Sequence, residues 1–559
     1  MLAVILCWPA LLAVALCWPL LTRPGHPLAR DLVFLPHQPL TWASAGLGDG
    51  APRAVPLDAV MSVLSTVVDG GVVARVVLPL ILVVAAAGVV RLLPWLGPVA
   101  WVAAAGVTVW NPFVVERLAL GQWALLTSYA ALPWLLPALA DRRDGTVSGV
   151  GPVVGWAALA SITPTGGLIA VAAALASVVA RGRRQLVPLA LVLLLQLPWL
   201  VAGTVGSASR LSDPEGVAAF APDTEGRFGA AVAVLGMGGI WDSLSEPSSR
   251  TTVLAVVTAA VVVVALVSSA RELHERLDLA LAWWILGVGG LLFALVMTTP
   301  PGQAALRVLV AEVPASGLLR DAQKFLVPTV LLVALAVGVA VDRVVRTLRG
   351  RLPDAVELRL VLAVPLVVAP LLLLPDGARL VWQTLDPVRV PMSSYAEVDR
   401  ITGDSSHAVA VLPWRAYRRF AWGHGLTSSD PAPRALRART VVSDDLQVGT
   451  RRVQGEGALA GRVGEVLDGD GAARDLGALG IGWVVVYPDD PDAASVDVTG
   501  LVPRYEDAVL SLYEVPDAVS VEGPSVGARV LLAVAYAVAV ALLACVACAR
   551  LTAFVRRRR

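Results

Sequence analysis

The sequence has little charge and almost no lysine. Only 16% of its 559 residues are charged, against about a quarter in an ordinary soluble domain, and Lys324 is the only lysine. A net charge of +1 gives no bulk attraction to nucleic acid. With 57% apolar residues and a mean hydropathy of +0.73, the composition excludes a soluble enzyme built around one core. It indicates a polytopic membrane protein.

Cysteine is also scarce. The four cysteines, Cys7, Cys17, Cys545 and Cys548, all lie in apolar segments near the two ends of the chain. The long polar stretches contain none, which excludes a disulfide framework there. Nucleotide-binding, zinc and nucleophile-elbow motifs are missing from the sequence as well, so it predicts no cofactor and no metal site.

Long apolar runs take the place of these motifs. A bilayer core of about 30 Å requires roughly 20 apolar residues in a helix. On that basis the sequence predicts twelve spans, at 2–22, 75–93, 95–112, 121–140, 150–164, 166–180, 186–205, 251–270, 278–298, 325–345, 359–375 and 527–549.

Arginine predicts the orientation of these spans. Basic residues cluster on alternate connections, at Arg142 and Arg143, the arginines of 181–184, Arg271 and Arg276, the arginines of 343–351, and Arg556–Arg559. Because cytoplasmic loops are enriched in arginine, both termini are predicted to be cytoplasmic in a plasma membrane. The long polar segments 23–74, 206–250, 299–324 and 376–526 then all face outward.

This arrangement predicts three parts of the chain. Residues 1–375 form a helical membrane body with outer loops, 376–526 form a small extracytoplasmic α/β domain, and 527–559 form a final span with a basic tail. Within the second part, 408–412 and 484–487 have the pattern of buried strands, and 509–515 that of a closing strand. Residues 472–479 are predicted to be helical.

The first outer loop contains Asp31 and His37. A carboxylate near the bundle mouth is suited to act as a general base on an acceptor hydroxyl, although Asp31 can equally cap a short helix or pair with Arg30. His37 is a candidate substrate contact or a solvated side chain. Asp58, farther along, has the position of a helix N-cap.

Two further polar clusters adjoin predicted spans. Glu116 and Arg117, followed by Gln122 and Trp123, are costly to place at a membrane unless paired or wetted. They are suited to phosphate and sugar contacts, or to an internal ion pair with Trp123 in the aromatic belt.

The second cluster precedes the span at 325–345. It contains Arg320, Asp321, Gln323 and Lys324. Two cations at the start of a helix favour an anion such as phosphate. The alternative is that both cations extend to the interface with Asp321 as their partner.

These features together resemble a family. The sequence resembles the GT-C glycosyltransferases of actinobacteria, of the arabinofuranosyltransferase-like or mannosyltransferase-like kind. The similar features are Asp31 in the first loop, the stretches 111–123 and 317–325, and the late segments 479–486 and 512–515. The resemblance implies a polyprenyl-phosphate sugar donor and transfer to an envelope glycan or lipid on the outer face. It makes Asp31 the base by position. The first loop lacks an Asp-x-Asp or Glu-x-Asp pair, which argues against metal-assisted catalysis.

The resulting hypothesis is an inverting transfer in which Arg117, Arg320 and Lys324 stabilise the departing phosphate. Two alternatives from other classes stay open: a transporter or flippase of a lipid-linked saccharide, and a non-catalytic scaffold for envelope assembly. Transporters bind near the bilayer midplane. The position of the polar groups therefore distinguishes the three.

Overall fold

The computed structural model describes residues 2–140, 147–352, 356–403, 405–469 and 472–558. All twelve apolar segments are helical. The helices of the membrane body and its outer loops are Leu2–Leu16, Trp18–Thr22, Leu57–Ser65, Gly70–Arg91, Pro98–Val109, Pro112–Ala119, Leu126–Ala140, Val147–Ala160, Pro164–Arg181, Leu186–Leu194, Leu197–Val205, Glu215–Ala219, Ala230–Leu235, Val253–Arg276, Ala280–Met297, Pro300–Glu312, Val327–Arg351, Val356–Leu373, Gly377–Leu385 and Val526–Arg558.

The polytopic membrane architecture is confirmed, whereas the count of twelve spans is not. Among the described residues, eight helices are long and apolar enough to cross a membrane, or nine if the bent pair Glu357–Leu373 and Gly377–Leu385 is one span. Two further helices contain apolar parts that are shorter than a full span, Leu6–Leu16 and Val150–Ala160. The sequence could not separate them from full spans because apolar composition does not reveal where a helix bends or stops.

One helix break positions polar residues at the end of the body. The predicted span 95–112 consists of Pro98–Val109 followed by a second helix, Pro112–Ala119. Asn111 caps the second helix by accepting a hydrogen bond from the Val114 N–H at 3.0 Å, and a proline in the first turn suits a helix start. All eight residues of Pro112–Ala119 are buried. The break thus places Glu116 and Arg117 in the packed interior.

Several predicted cytoplasmic connections meet at one end of the bundle. The Arg181 guanidinium donates to the Ala140 carbonyl at 2.6 Å and lies 4.0 Å from the Asp278 carboxylate. Arg343 donates to the Ser268 carbonyl at 2.8 Å. Since Arg343 lies near the end of Val327–Arg351 and Lys324 just before its start, Lys324 belongs to the opposite end. Arg142, Arg143 and Arg559 lie outside the described residues.

The segment that the sequence predicts to face outward, 376–526, is called the outer part of the chain below. It contains a five-stranded sheet, in the order Val502–Glu506, Ser511–Glu514, Ile481–Val486, Ala408–Leu412 and Thr440–Val441. Its central pair is parallel, with Val484 opposite Ala410 and Val485 opposite Val411. Both faces are covered by apolar clusters, which explains why the central strands read as continuous apolar runs.

The predicted strands at 408–412 and 484–487 are therefore confirmed, and the closing strand is Ser511–Glu514. The predicted helix 472–479 is a 3₁₀ helix, Ala473–Leu479. The remaining helices here are Met392–Thr402, Ala432–Ala435 and Ala458–Asp468, and the short strands Leu446–Val448 and Arg451–Val453 form a hairpin.

The first outer loop and the outer part of the chain share a second small sheet. Strand His26–Ala29 pairs with Leu32–Val33 and with Pro387–Val388, both antiparallel. Helix Gly377–Leu385 packs on Pro112–Ala119, and Thr384 donates to the Ala119 carbonyl at 2.6 Å. The beginning of the predicted segment 376–526 thus contacts the membrane body directly.

Candidate functional site

Asp31 lies where the first loop, the membrane body and the outer sheet region meet. Its backbone N–H donates to the Leu120 carbonyl at 3.2 Å. Its Oδ2 accepts a hydrogen bond from the Gln122 side-chain amide at 2.9 Å, and its Oδ1 accepts one from the Tyr417 hydroxyl. Burial, the charge of Asp31 and this hydrogen bond raise the pKa of Tyr417 well above its usual value. Tyr417 is therefore protonated and able to donate.

Gly121 permits the close approach of the Asp31 backbone. Its φ of +86° lies in the left-handed region, which costs other residues energy. A Cβ at this position would also be 2.5 Å from the Leu32 nitrogen and 3.1 Å from the Asp31 carbonyl carbon. A side chain here would push the first loop away from the body.

Arg117 connects Gln122 to the second polar cluster. Its guanidinium donates to Asp321 through both terminal nitrogens, at 2.8 Å each. The same two nitrogens also donate to the side-chain oxygens of Gln122 and Gln323. The side chain is fully buried and lies over the Phe113 ring. A bidentate, buried pair of this kind fixes the geometry of both partners.

Asp321 is held in its charged form by its neighbours. Burial alone would raise its pKa, but the charges of Arg117 and Lys324 and the hydrogen bonds from Arg117 lower the pKa of Asp321 to about 2. The Lys324 ammonium lies 3.5 Å from Asp321 Oδ2 and is a quarter exposed. The charges of Asp31 and Arg53 also act on the Lys324 ammonium. The lone lysine thus lies in the same region as Asp31.

Arg320 and Arg53 share one carboxylate. Glu456 accepts from Arg320 Nη2 at 3.3 Å and lies 3.1 Å from Arg53 Nη2. Arg320 is buried over the Phe220 ring, and its Nη1 has no hydrogen-bond partner among the described residues. Burial and the charge of Arg53 lower the pKa of Arg320. The charge of Arg53 acts on both Arg320 and Lys324, so three cations lie at this end of the body.

Glu116 is joined to this network through Gln323 and lies beside Glu225, a second buried carboxylate. Its Oε2 accepts from the Gln323 amide at 2.7 Å. A Cβ added at Gly238 would be 2.7 Å from Glu116 Oε1 and closer still to Glu225 Oε1. Glu225 accepts from Arg250 Nε at 2.7 Å. No group of three or more metal-ligating side chains is close enough to hold a metal among the residues that the structure describes.

Two predicted site residues lie apart from this cluster. Trp123 is 8% exposed and packs against Phe34, with ring centroids 5.1 Å apart. His37 is exposed, with Nδ1 3.2 Å from the Ser65 carbonyl. The interpretation of Asp58 as an N-cap is wrong: Pro56 occupies the N-cap position of Leu57–Ser65, and Asp58 pairs with Arg434 at 3.2 Å.

The sequence also allows an internal ion pair between Glu116 and Arg117, but Arg117 pairs with Asp321 instead. Consecutive residues of a helix point in different directions, and Arg117 turns to Asp321, which is 204 positions away. Sequence reasoning missed Tyr417, Arg53, Glu456, Glu225 and Arg250. Tyr417 and Glu456 lie in ordinary polar sequence, without the contrast to an apolar run that singled out the other clusters.

The helical body with an outer sheet region has the GT-C-type fold, and this confirms the expectation from sequence. The structure of the arabinofuranosyltransferase AftD from Mycobacteria matches with a TM-score of 0.57 and 18% identity, over 92% of this chain and 40% of that one. A mutant of the same enzyme matches with a TM-score of 0.57 and 16% identity, over 92% and 41%. This chain thus spans about two fifths of the AftD chain. No family model and no curated protein matches its sequence.

Proposed function

We propose that this protein is a membrane glycosyltransferase that moves a sugar from a polyprenyl-phosphate donor to an envelope glycan or lipid on the outer face. The main support for the proposal is a chain of hydrogen bonds that links Asp31 to Asp321, which in turn contacts Lys324. The connection runs through the Gln122 amide and the Arg117 guanidinium. One carboxylate and one partly exposed cation are thereby held at the same end of a GT-C-type body.

In the proposed reaction Asp31 is the general base. The acceptor hydroxyl gives its proton to the Asp31 carboxylate, and its oxygen forms a bond to the anomeric carbon of the donor sugar. The bond from that carbon to the phosphate oxygen breaks, and the electron pair leaves with the polyprenyl phosphate. Since proton transfer requires a base within hydrogen-bond reach of the hydroxyl, the half-exposed position of Asp31 suits this role.

Lys324, Arg320 and Arg53 are the groups that we assign to the phosphate. Lys324 retains ammonium protons beyond its contact with Asp321, and the Arg53 side chain is 46% exposed. Arg320 Nη1 is buried beside Gly216, so Arg320 contributes its charge without an exposed nitrogen. Cations placed where negative charge develops stabilise the transition state. Arg117 instead uses both terminal nitrogens on protein oxygens. We therefore assign Arg117, with Gln122, Asp321 and Gln323, a positioning role.

The distribution of charge favours a transferase over a transporter. A transporter binds its substrate near the bilayer midplane. In the described membrane helices Arg75, Glu116 and Lys324 lie near helix ends, and Asp342 lies in the half of Val327–Arg351 that leads to the arginine-rich end. A scaffold would leave the polar groups scattered, whereas here they share one hydrogen-bonded network.

The same proposal includes an orientation. The arginine-rich end formed around Arg181 and Arg343 is assigned to the cytoplasm, in agreement with the bias of cytoplasmic loops towards arginine. The termini are then cytoplasmic, and Asp31, Lys324 and the five-stranded sheet face outward from the plasma membrane.

The experiment is Asp31→Asn in the full chain, reconstituted in lipid nanodiscs. Transfer from a synthetic polyprenyl-phosphate sugar to an envelope glycan is measured, and binding of the polyprenyl phosphate is measured separately. Loss of a general base predicts a fall in kcat of about 10²–10⁴-fold with binding retained. The matched control is Asp58→Asn, in the same loop, whose carboxylate pairs with Arg434. Full activity of Asp31→Asn would overturn the assignment of the base.

A further inference from the structure

The two oxygens of Asp31 have different kinds of partner. Oδ2 accepts from the Gln122 amide, which is itself held by Arg117 inside the membrane body. Oδ1 accepts from the hydroxyl of Tyr417, a residue 386 positions away in sequence. The amide carries no proton that a carboxylate removes readily, whereas the second partner is an O–H group. Oδ2 is thus the anchored oxygen, and Oδ1 is the one that faces a hydroxyl.

Tyr417 lies on a short hairpin, in which Tyr417–Arg419 pairs with Thr427–Ser429. The hairpin is joined to the first loop by two backbone hydrogen bonds at Arg30. The Arg30 N–H donates to the Thr427 carbonyl at 2.7 Å, and the Ser429 N–H donates to the Arg30 carbonyl at 2.8 Å. The rest of the hairpin is anchored to the outer sheet region through Arg418, which is buried and pairs with Asp430 and Asp490.

Arg30 adopts an unusual backbone conformation where the first loop meets the hairpin. Its φ of +54° is left-handed, which is costly for a residue with a side chain. The guanidinium donates to the Ser245 hydroxyl at 2.8 Å and the Leu244 carbonyl at 2.9 Å, and it pairs with Asp242. The loop 206–250 thereby fixes the residue next to Asp31, and Arg418 fixes the hairpin, so that displacement from Asp31 involves the Tyr417 side chain and not the hairpin as a whole.

We propose that the Tyr417 hydroxyl occupies the place of the acceptor hydroxyl, so that the acceptor enters by displacing Tyr417 from Asp31 Oδ1. The inference rests on the proposed function, since it takes Asp31 as the base. A base must lie within hydrogen-bond reach of the hydroxyl that it deprotonates, and a phenol O–H directed at Oδ1 has the geometry that an alcohol O–H would need. The hairpin thus bounds the acceptor subsite, and it closes that subsite when no acceptor is bound.

The experiment is Tyr417→Phe in the full chain, with steady-state transfer measured at varied acceptor and varied donor concentrations. Removing an internal competitor for Oδ1 is expected to lower the acceptor KM about tenfold, which is the worth of one hydrogen bond to a charged group. The donor KM and kcat should stay unchanged. Hydrolysis of the donor by water in the absence of acceptor should rise, because Oδ1 is then free to accept from water.

The matched control is Tyr505→Phe, which removes a second tyrosine–aspartate hydrogen bond, from Tyr505 to Asp507 at 2.7 Å, in the outer sheet. It should change neither KM. A second variant, Tyr417→Ala, should shift the acceptor KM in the same direction as Tyr417→Phe. The unfolding temperature of each variant is recorded, so that a loss of fold is distinguished from a change in binding.

Other outcomes overturn the inference. A fall in kcat with an unchanged acceptor KM would show that Tyr417 orients Asp31 instead of competing for it. Unchanged kinetics in both Tyr417 variants would show that the contact plays no part in acceptor entry. If Asp31→Asn is inactive while Tyr417→Phe does not lower the acceptor KM, only this inference fails. If Asp31→Asn remains active, the proposed base fails with it.

Discussion

The Arg117–Asp321 pair gives the sharpest prediction for stability. Arg117 is fully buried, and the Asp321 side chain is 8% exposed. Replacing Asp321 with Asn removes the counter-charge while keeping nearly the same shape. Breaking a buried pair by removing one partner costs about 3–5 kcal/mol, because a charge is left in a medium that solvates it poorly. We therefore expect Asp321→Asn to lower the free energy of unfolding by that amount.

The assay is unfolding of the full chain in mixed detergent micelles, followed by circular dichroism or tryptophan fluorescence. The matched control is Glu275→Gln, since the Arg271–Glu275 pair at 2.8 Å is exposed, with side chains 90% and 57% accessible. An exposed i,i+4 pair contributes little to stability, because water screens both charges. Asp321→Asn should therefore lower the free energy of unfolding far more than Glu275→Gln.

A double variant separates charge from packing. If the loss in Asp321→Asn arises from the unpaired guanidinium, adding Arg117→Met should recover part of it, since no unpaired charge then remains in the interior. The reasoning would be refuted if Asp321→Asn cost no more than Glu275→Gln. It would also be refuted if Arg117→Met deepened the loss.

Two further predictions concern the outer loops. Burial and the charges of Glu225 and Asp223 raise the pKa of Glu246 from 4.5 to about 7. The folded state therefore holds this proton more tightly than the unfolded state does. As a result, the free energy of unfolding falls as the pH rises from 4.5 through 7. In unfolding measured across that range, Glu246→Gln should flatten the decline, and an unchanged slope would contradict it. Gly121→Ala should cost more stability than Gly449→Ala and should reduce transfer. Both glycines have a positive φ, but of the two only Gly121 has backbone atoms where a Cβ would lie. Equal losses of unfolding free energy in the two variants would show that this steric clash does not occur.

The sequence predicts the site where polar residues interrupt apolar runs. Arg117, Gln122, Asp321, Gln323 and Lys324 stand out because placing them beside a membrane span is costly without partners. All five lie in the network around Asp31. These residues are recognisable from the sequence because each is a polar residue beside an apolar run, where burial without a partner is costly.

The sequence does not predict which partner each residue takes. Arg117 has an acidic neighbour at Glu116 but pairs with Asp321, because the direction of a helical side chain decides the contact. Tyr417 gives no local signal, since its role depends on how a hairpin joins the first loop. Likewise, the break at Asn111 and the bends in other apolar segments follow from packing that composition does not record.

The hydrogen bond between Asp31 and Tyr417 also bears on how the chain folds. Asp31 is synthesised early and Tyr417 much later, 386 residues apart, and contacts of such separation form slowly because a long loop must be closed first. The helices can insert and pack while the first loop still lacks its hairpin. The contact that closes the proposed acceptor subsite therefore forms only when the late outer segment has folded, so a closed subsite marks a chain that has folded over its whole length.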